Sequence, residues 1–399
     1  MRILFILDEF LPENSGGAAN VAFWLAKGLI KSGNDLLVLT ATFDPENIGE
    51  VEIDGVKIRK VLAHPFGKFR NFRSLKNRAI LKEAKKIFEE FKPDTVHIHA
   101  LHHRFSYGII GLAKQFSKVV FLTLHDSQTI FNGKLFPKRK ICNLNPEYDY
   151  RVSWLDRLKR DGLIFNPFQI FFIKKYLSKA DKIFAVSSAL KEAVEANGIS
   201  NVEVVHNGID AKEWEVTENS ERNILFAGRV DEAKGIKALI GAFGIVNYEI
   251  PDSRLTIVGD GDFKTEKNEN IKILSWQSRE EMKRLFSEAI IIVAPSLYLD
   301  PFPTVNLEAM AAGKPVIGTC FGGTKEVVVN NETGYIVNPY NEKELAEKII
   351  YFLRNPEKTV AFGKAGCERV EKFFSIENQV EKTLLWYNKF IDNKVIHKK

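Results

Sequence analysis

Cysteine and methionine are scarce in this chain, with three of each in 399 residues. Cys142, Cys320 and Cys367 are far apart, odd in number and in no metal-ligand spacing, so neither a disulfide framework nor a zinc site is suggested. A reducing cytoplasm is the expected compartment. Long apolar runs are also missing: none approaches the roughly 18–20 residues of a membrane span. Met1-Arg2 leads straight into the strand-like Ile3-Leu4-Phe5-Ile6-Leu7, so secretion and transmembrane anchoring are not expected, and the sequon Asn331-Glu332-Thr333 reads as a turn. Neither sign of charge dominates. Lys plus Arg exceed Asp plus Glu by 57 to 51, a surplus too mild and dispersed for a dedicated nucleic-acid binder, though it suits an anionic small ligand. No solenoid-type repeat is present. The first βα turn lacks Gly-x-Gly-x-x-Gly, and Gly259-Asp260-Gly261 leads into a charged loop instead of a helix, which disfavours a dinucleotide-dependent oxidoreductase.

What the chain does have is a hydrophobic share of 45%, enough for a sizeable core, and a length that suggests two domains. Short β-branched and apolar runs alternate with stretches of helical period, the pattern of a parallel sheet with crossover helices, so the fold class is α/β. The first half has runs at 2–7, 36–41, 56–62, 94–98, 118–124, 182–186 and 202–205, with helices expected at 18–32, 75–91 and 188–196. The second half has runs at 222–227, 254–258, 271–274, 289–293, 315–319 and 334–337, a second Rossmann-like sheet. The polar stretch from His206 to Ser220 reads as the linker. The division is 1–207, 208–375, and a final helix in 376–399 whose Val380, Leu384, Tyr387 and Ile391 need a surface to pack on. The long stretch 126–166 lacks clear periodicity, and loops of that length are usually functional or mobile.

In open parallel sheets, ligands bind beyond the carboxyl ends of the strands. Gly16-Gly17 follows the first strand and opens the first helix, where adjacent residues without Cβ let backbone N–H groups approach an anion; taken alone the pair is equally a tight turn. Gly228-Arg229 closes the run at 222–227 and Lys234 lies on the same loop, so a guanidinium fork and a mobile ammonium are placed to neutralise a diphosphate. The most informative stretch is Asp300-Pro301-Phe302-Pro303-Thr304-Val305-Asn306-Leu307-Glu308. Pro303 suits the first turn of a helix, whose free N–H groups at Thr304 and Val305 form an anion cradle. Glu308, one turn inside among apolar neighbours, needs hydrogen-bond donors such as a ribose diol.

Taken together, Gly16-Gly17, His125-Asp126, Asn207-Gly208-Ile209-Asp210, Gly228-Arg229 with Lys234-Gly235, Gly259-Asp260-Gly261, Asp300 to Glu308, and Gly322-Gly323 with Glu326 resemble the retaining glycosyltransferase family 4 (glycosyl transferases group 1) nearly from end to end. The resemblance implies a GT-B fold, two Rossmann-like domains facing a cleft, with the last helix crossing back to the N-terminal domain. It implies an acceptor-binding first domain, a nucleotide-sugar-binding second domain, retention of anomeric configuration, and neither metal nor cofactor, the nucleoside-diphosphate sugar being a substrate with UDP or GDP favoured. Carried over by position, Arg229 and Lys234 hold the donor diphosphate, Glu308 binds the ribose hydroxyls, the Gly16-Gly17 loop closes over the phosphates, and His125 matches the active-site histidine near the donor sugar. The catalytic set is then His125, Arg229, Lys234 and Asp300, and the donor-binding set Gly16, Gly17, Gly228, Thr304, Val305 and Glu308. Two positions depart from the family pattern: Asp300 stands where Glu-x7-Glu has its first Glu, and Pro303 where Gly is usual, which removes one backbone donor.

The expected activity is metal-independent transfer of a hexose to a glycan or lipid-linked glycan. Alternatives are a catalytically idle sugar-nucleotide-binding scaffold, favoured by Asp300 and Pro303, and a nucleotide-sugar epimerase. Phe66-Gly67-Lys68-Phe69-Arg70-Asn71-Phe72-Arg73, continuing to Lys76 and Arg78, interleaves aromatic and basic residues without a carboxylate, a composition suited to an anionic membrane surface. Phe168 to Tyr176 is a second such stretch, which reads first as an amphipathic helix buried in the fold. Peripheral attachment at the inner face of the membrane is the corresponding expectation. Aromatic-basic stretches also bind single strands of nucleic acid, but no other motif supports that.

Overall fold

The computed structural model describes residues 1–12, 16–138, 148–217, 221–261, 263 and 268–396. The chain divides into two compact units, the first formed by Met1–Gly133, Tyr150–Gly208 and Ile376–Lys399, the second by Lys134–Asp149 and Ile209–Ser375. The sequence assigned everything up to residue 207 to one domain; Lys134–Asp149 instead groups with the second unit.

The first unit carries eight strands: β1 (Arg2–Leu7), β2 (Asp35–Thr42), β3 (Gly49–Ile53), β4 (Val56–Leu62), β5 (Thr95–Ala100), β6 (Val119–Leu124), β7 (Lys182–Ala185) and β8 (Val202–Val204). Their order is β3-β4-β2-β1-β5-β6-β7-β8, parallel except for the β3–β4 hairpin. Ile3 to Leu7 and Val119 to Phe121 are solvent-inaccessible or nearly so, because helices cover both faces of a parallel sheet, and this is why these strands read as unbroken apolar runs. Gly28, on the helix Gly17–Lys31, gives room to the last helix, Ile376–Ile396, which lays Ile376 and Val380 against it. Tyr387 of that helix is buried and its hydroxyl lies 2.5 Å from His97 Nδ1. The orphan helix therefore finds its surface on the first unit.

The second unit has six parallel strands: β9 (Asn223–Ala227), β10 (Arg254–Val258), β11 (Ile271–Leu274), β12 (Ile291–Ala294), β13 (Val316–Thr319) and β14 (Gly334–Val337). Their order is β11-β10-β9-β12-β13-β14. Ile224, Phe226, Leu239, Phe243, Ile257 and Ile291 belong to its apolar core. Crossover helices Ile236–Glu249, Arg279–Glu288, Thr304–Ala311 and Glu342–Arg354 connect or flank the strands.

Two local readings change. The unpatterned stretch contains a helix, Trp154–Asp161, started by a capping box of Ser153 and Asp156. Cys320 is disulfide-bonded and Cys367 is a free thiol, whereas the spacing of the cysteines suggested no disulfide; pairing depends on Cα separation in space, which sequence distance does not report. Cys142 lies outside the described residues. The sequon does form a turn, with Asn331 at φ 65°.

Candidate functional site

In the second unit the strand order reverses at β9. β10 leaves it on one side and β12 lies on the other, so the carboxyl ends of β9 and β12 flank the point where open α/β sheets bind ligands. The loop after β9 carries Gly228, exposed Arg229 and Lys234; the segment after β12 carries Ser296, Tyr298 and Asp300. Asp231 shapes the first of these loops by accepting from the Lys234 backbone N–H at 2.9 Å. Gly235 then takes φ 80°, where a Cβ would lie 2.0 Å from the Pro295 carbonyl oxygen. That close approach brings the two loops together.

The result is a partly buried ion pair: Lys234 Nζ lies 2.6 Å from Asp300 Oδ2, and the Ser296 hydroxyl donates to the same oxygen at 2.8 Å. Burial alone would lower the Lys234 ammonium, but the facing Asp300 carboxylate outweighs it, and the pKa is raised. Tyr298, with Lys234 5.5 Å from its ring centroid, is pushed up to about 12 by burial and by Asp300. Lys134, from the segment that joins this unit out of sequence, pairs with Asp231 at 2.5 Å and lies 5.2 Å from the same ring. Three cations, Lys134, Arg229 and Lys234, thus share one loop cluster. Arg229 and Lys234 were legible in the sequence; Lys134 was not.

The helix Thr304–Ala311 has Pro303 as its N-cap residue, one position before the first helical turn to which the sequence assigned it. The missing proline N–H is therefore lost outside the helix, and the N–H groups of Thr304 and Val305 open it, without intrahelical acceptors. One turn on, Glu308 is only partly exposed. Its carboxyl is pushed up to about 7 by burial, with Arg279 opposing only in part. No hydrogen bond to it exists among the described residues. Gly322, at φ 76°, packs so close to the Asp300 backbone that a Cβ would sit 2.2 Å from its carbonyl oxygen, and Gly323 N–H donates to that oxygen at 2.9 Å. The two glycines thereby fix Asp300 from behind.

In the first unit the order reverses at β1, between β2 and β5. Gly16 is the N-cap of the helix Gly17–Lys31, as its sequence position suggested; residues 13–15 lie outside the described residues. Asp8, just past β1, is buried and accepts from the backbone N–H groups of His102, His103, Arg104 and Phe105, which folds the loop after β5. His125 follows β6. Its Nε2 lies 3.2 Å from His99 Nδ1, with the two rings stacked at 5.4 Å, and the next ring is His97, 4.1 Å from His99. Burial lowers all three: His97 to about 3, His125 to about 4, and His99 well below its usual value. His99 Nε2 and the Thr129 hydroxyl are buried without a hydrogen-bond partner among the described residues, and both residues line a pocket with His102, Tyr107, His125 and Asp126.

His102 and Asp126 form the charged edge of that pocket, with Nε2 3.4 Å from Oδ1. Burial opposes both charges. The facing carboxylate nevertheless raises the imidazole, and the imidazole helps hold Asp126 down to about 2. His99, His102 and Asp8 escaped the sequence reading. Their signal was the His97-x-His99 alternation at a strand end and an acidic residue directly after the first strand.

Two family models match this chain: one described as Glycosyltransferase Family 4 over residues 15–213, the other as Glycosyl transferases group 1 over residues 209–369. An uncharacterized glycosyltransferase of Methanocaldococcus jannaschii is 27% identical over 380 residues, spanning 87% of each chain. Sucrose-phosphate synthase from Thermosynechococcus elongatus shares the fold with a TM-score of 0.78 at 20% identity, covering 98% of this chain and 99% of the other. Anabaena HepE, solved in complex with UDP-glucose, does so with a TM-score of 0.66 at 18% identity, covering 96% and 99%. The two parallel-sheet units are those of the GT-B class of sugar transferases. The chain belongs to the group 1 glycosyltransferases with a family 4 N-terminal half, and it is a transferase enzyme.

Proposed function

We propose that the protein transfers a hexose from a nucleoside-diphosphate sugar, with UDP or GDP as the nucleotide, to a glycan or lipid-linked glycan with retention of anomeric configuration. The observation that carries this reading is the Glu308 carboxyl: partly buried, without a hydrogen bond among the described residues, and one turn inside a helix whose opening N–H groups have no intrahelical acceptor. A ribose diol supplies the two donors it lacks, and the Thr304 and Val305 N–H groups suit the adjoining phosphate. The complex of HepE with UDP-glucose supports a nucleotide-sugar donor by analogy.

In this reading the bond from anomeric carbon to phosphate breaks toward an oxocarbenium-like state. Arg229 and Lys234 stabilise the departing diphosphate, so no metal or cofactor is called on. Asp300 holds the Lys234 ammonium in place and meets the donor sugar, while Gly16 and Gly17 close on the phosphates. His125, kept neutral by burial, offers a hydrogen bond to the transferred sugar, and the first unit binds the acceptor. Acceptor attack on the leaving-group face leaves no protein nucleophile in the scheme.

The test is calorimetric titration with UDP, GDP and ADP, without metal, on the wild type and Glu308→Ala. Binding of one diphosphate that weakens in the variant is the expected result. Absence of binding by all three, or equal binding by the variant, overturns the reading.

A further inference from the structure

The first unit exposes more large apolar surface than its sheet and helices require, and it does so in one neighbourhood. Phe69 and Phe72 flank or lie on the short helix Arg70–Arg73 and are 62% and 54% exposed; Leu163, at the tip of the turn after Trp154–Asp161, is fully exposed; Phe168 and Phe171, before and on the helix Gln169–Leu177, are 65% and 62% exposed. The sequence favoured, for the last of these stretches, a helix buried in the fold. It is a helix, but one that buries Gln169, Ile173 and Leu177 and turns its phenylalanines outward.

One buried side chain fastens these elements together. Asn71, 1% exposed, donates to Asp161 Oδ2 and to the Ile164 carbonyl, both at 2.9 Å. Its own carbonyl accepts from Asn166 at 3.2 Å, and its side-chain oxygen accepts from Asn132 at 2.9 Å. Segments about 90 residues apart in sequence are thereby pinned side by side, which joins the exposed phenylalanines of the two stretches into one patch.

The charge around the patch is of one sign. Residues 66–78 contain Lys68, Arg70, Arg73, Lys76 and Arg78 and no acid. Residues 151–179 contain two acids, Asp156 and Asp161, and both are occupied internally, the first in the capping box with Ser153 and the second by Asn71 and Asn132. Lys159, Arg160 and Lys175 are exposed beside the aromatics. Between these elements lies a small open depression, lined in part by Asn132, Arg157, Arg160, Asp161 and Gln169.

We infer that this face of the first unit docks on an anionic lipid bilayer, with Leu163, Phe168 and Phe171 entering the headgroup boundary and the exposed Lys159, Arg160 and Lys175 meeting the lipid phosphates. Aromatic and aliphatic side chains ringed by cations without free carboxylates match a negatively charged interface, where buried apolar area and attraction to anionic headgroups add. A protein partner with an acidic apolar groove is the competing occupant. The inference stands apart from the sugar-transfer chemistry and needs no assumption about the acceptor.

It is tested by co-sedimentation of the full chain with phosphatidylcholine vesicles, with and without about 30 mol% phosphatidylglycerol, at low and high salt. Anionic vesicles at low salt should retain the protein, neutral ones should not, and high salt should release it. Leu163→Asp combined with Phe168→Asp should weaken binding at least tenfold, and Arg160→Ser should reduce the preference for anionic lipid. All three substitutions are at exposed positions, and circular dichroism checks that the fold is kept. Failure to sediment with anionic vesicles at low salt, or undiminished binding by the double variant, overturns the inference and leaves the face to a protein partner.

Discussion

Lys234 and Asp300, separated by 66 positions in sequence, meet at 2.6 Å at the carboxyl ends of two adjacent strands. The charge that the sequence reading set aside for a diphosphate is thus already partnered in the protein. Breaking one side of such a pair leaves an uncompensated buried charge and costs on the order of 3 kcal/mol, whereas replacing both sides by neutral groups costs far less. Lys234→Met should lower both the melting temperature and, by at least tenfold, the turnover with any accepted donor. Lys234→Met combined with Asp300→Asn should recover most of the stability but none of the activity. Parallel melting curves and rate measurements on the two variants check this, and recovery of activity in the double variant would place Lys234 outside the chemistry.

Glu308 gives a pH dependence with a definite sign. Its folded value, about 7, lies above the ordinary 4.5, so it favours the folded state fully below pH 4.5 and loses that contribution as pH rises through 7. The melting temperature of Glu308→Gln, relative to wild type, should therefore increase from pH 5 to pH 7 and level off above it. Binding of UDP-glucose, whose diphosphate does not titrate in this range, should strengthen over the same interval in the wild type alone. A pH-independent difference between the two proteins would contradict the assignment.

The stacked histidines of the first unit work in the opposite sense. His97, His99 and His125 are all depressed by burial, so they supply stability above pH 6.5 that is lost as pH falls toward about 4. Acid unfolding should take up close to three protons beyond those of the carboxylates, and His99→Phe should reduce that uptake and flatten the stability profile between pH 6.5 and 4. Catalysis dependent on neutral His125 should show no acid limb near 6.5. A titration of activity with that midpoint would mean that the imidazole is charged in use.

Gly322 tests the support behind Asp300. With φ 76° and a Cβ position 2.2 Å from the Asp300 carbonyl oxygen, alanine there must displace backbone and not merely a flexible side-chain end. Gly322→Ala should destabilise by about 2 kcal/mol or more and should raise KM for the donor more than it changes binding of the acceptor. Thermal melts and donor saturation curves on one preparation suffice.

Which parts were legible follows from where each signal resides. β1 and β6 announce themselves because both faces are covered, so all but Arg2 of the one and Thr123 of the other are apolar. β3 does not, since Gly49–Ile53 lies at the sheet edge with almost every residue exposed, and its alternating glutamates resemble a loop. Arg229, Lys234 and Asp300 were readable because a strand end and a loop confine them locally. The His99–His125 contact was not, because it depends on how β5 registers on β6. Lys134 gave no signal at all: its chain position belongs to the first half, and only packing carries it into the second unit. The disulfide at Cys320 was hidden for a similar reason.

The return of the final helix to the first unit has a consequence for synthesis. On a ribosome the chain emerges from its N-terminus, and domains generally fold as they appear. Here the sheet carrying the histidines is made early, yet Tyr387, whose hydroxyl closes on His97, and Val380, which fills the space left by Gly28, are translated only after the whole of Ile209–Ser375. The second unit is complete in sequence before the first one is. A nascent chain stalled near Ser375 would therefore display a finished second unit and, in the first, an open sheet face that only translation of Ile376–Ile396 closes.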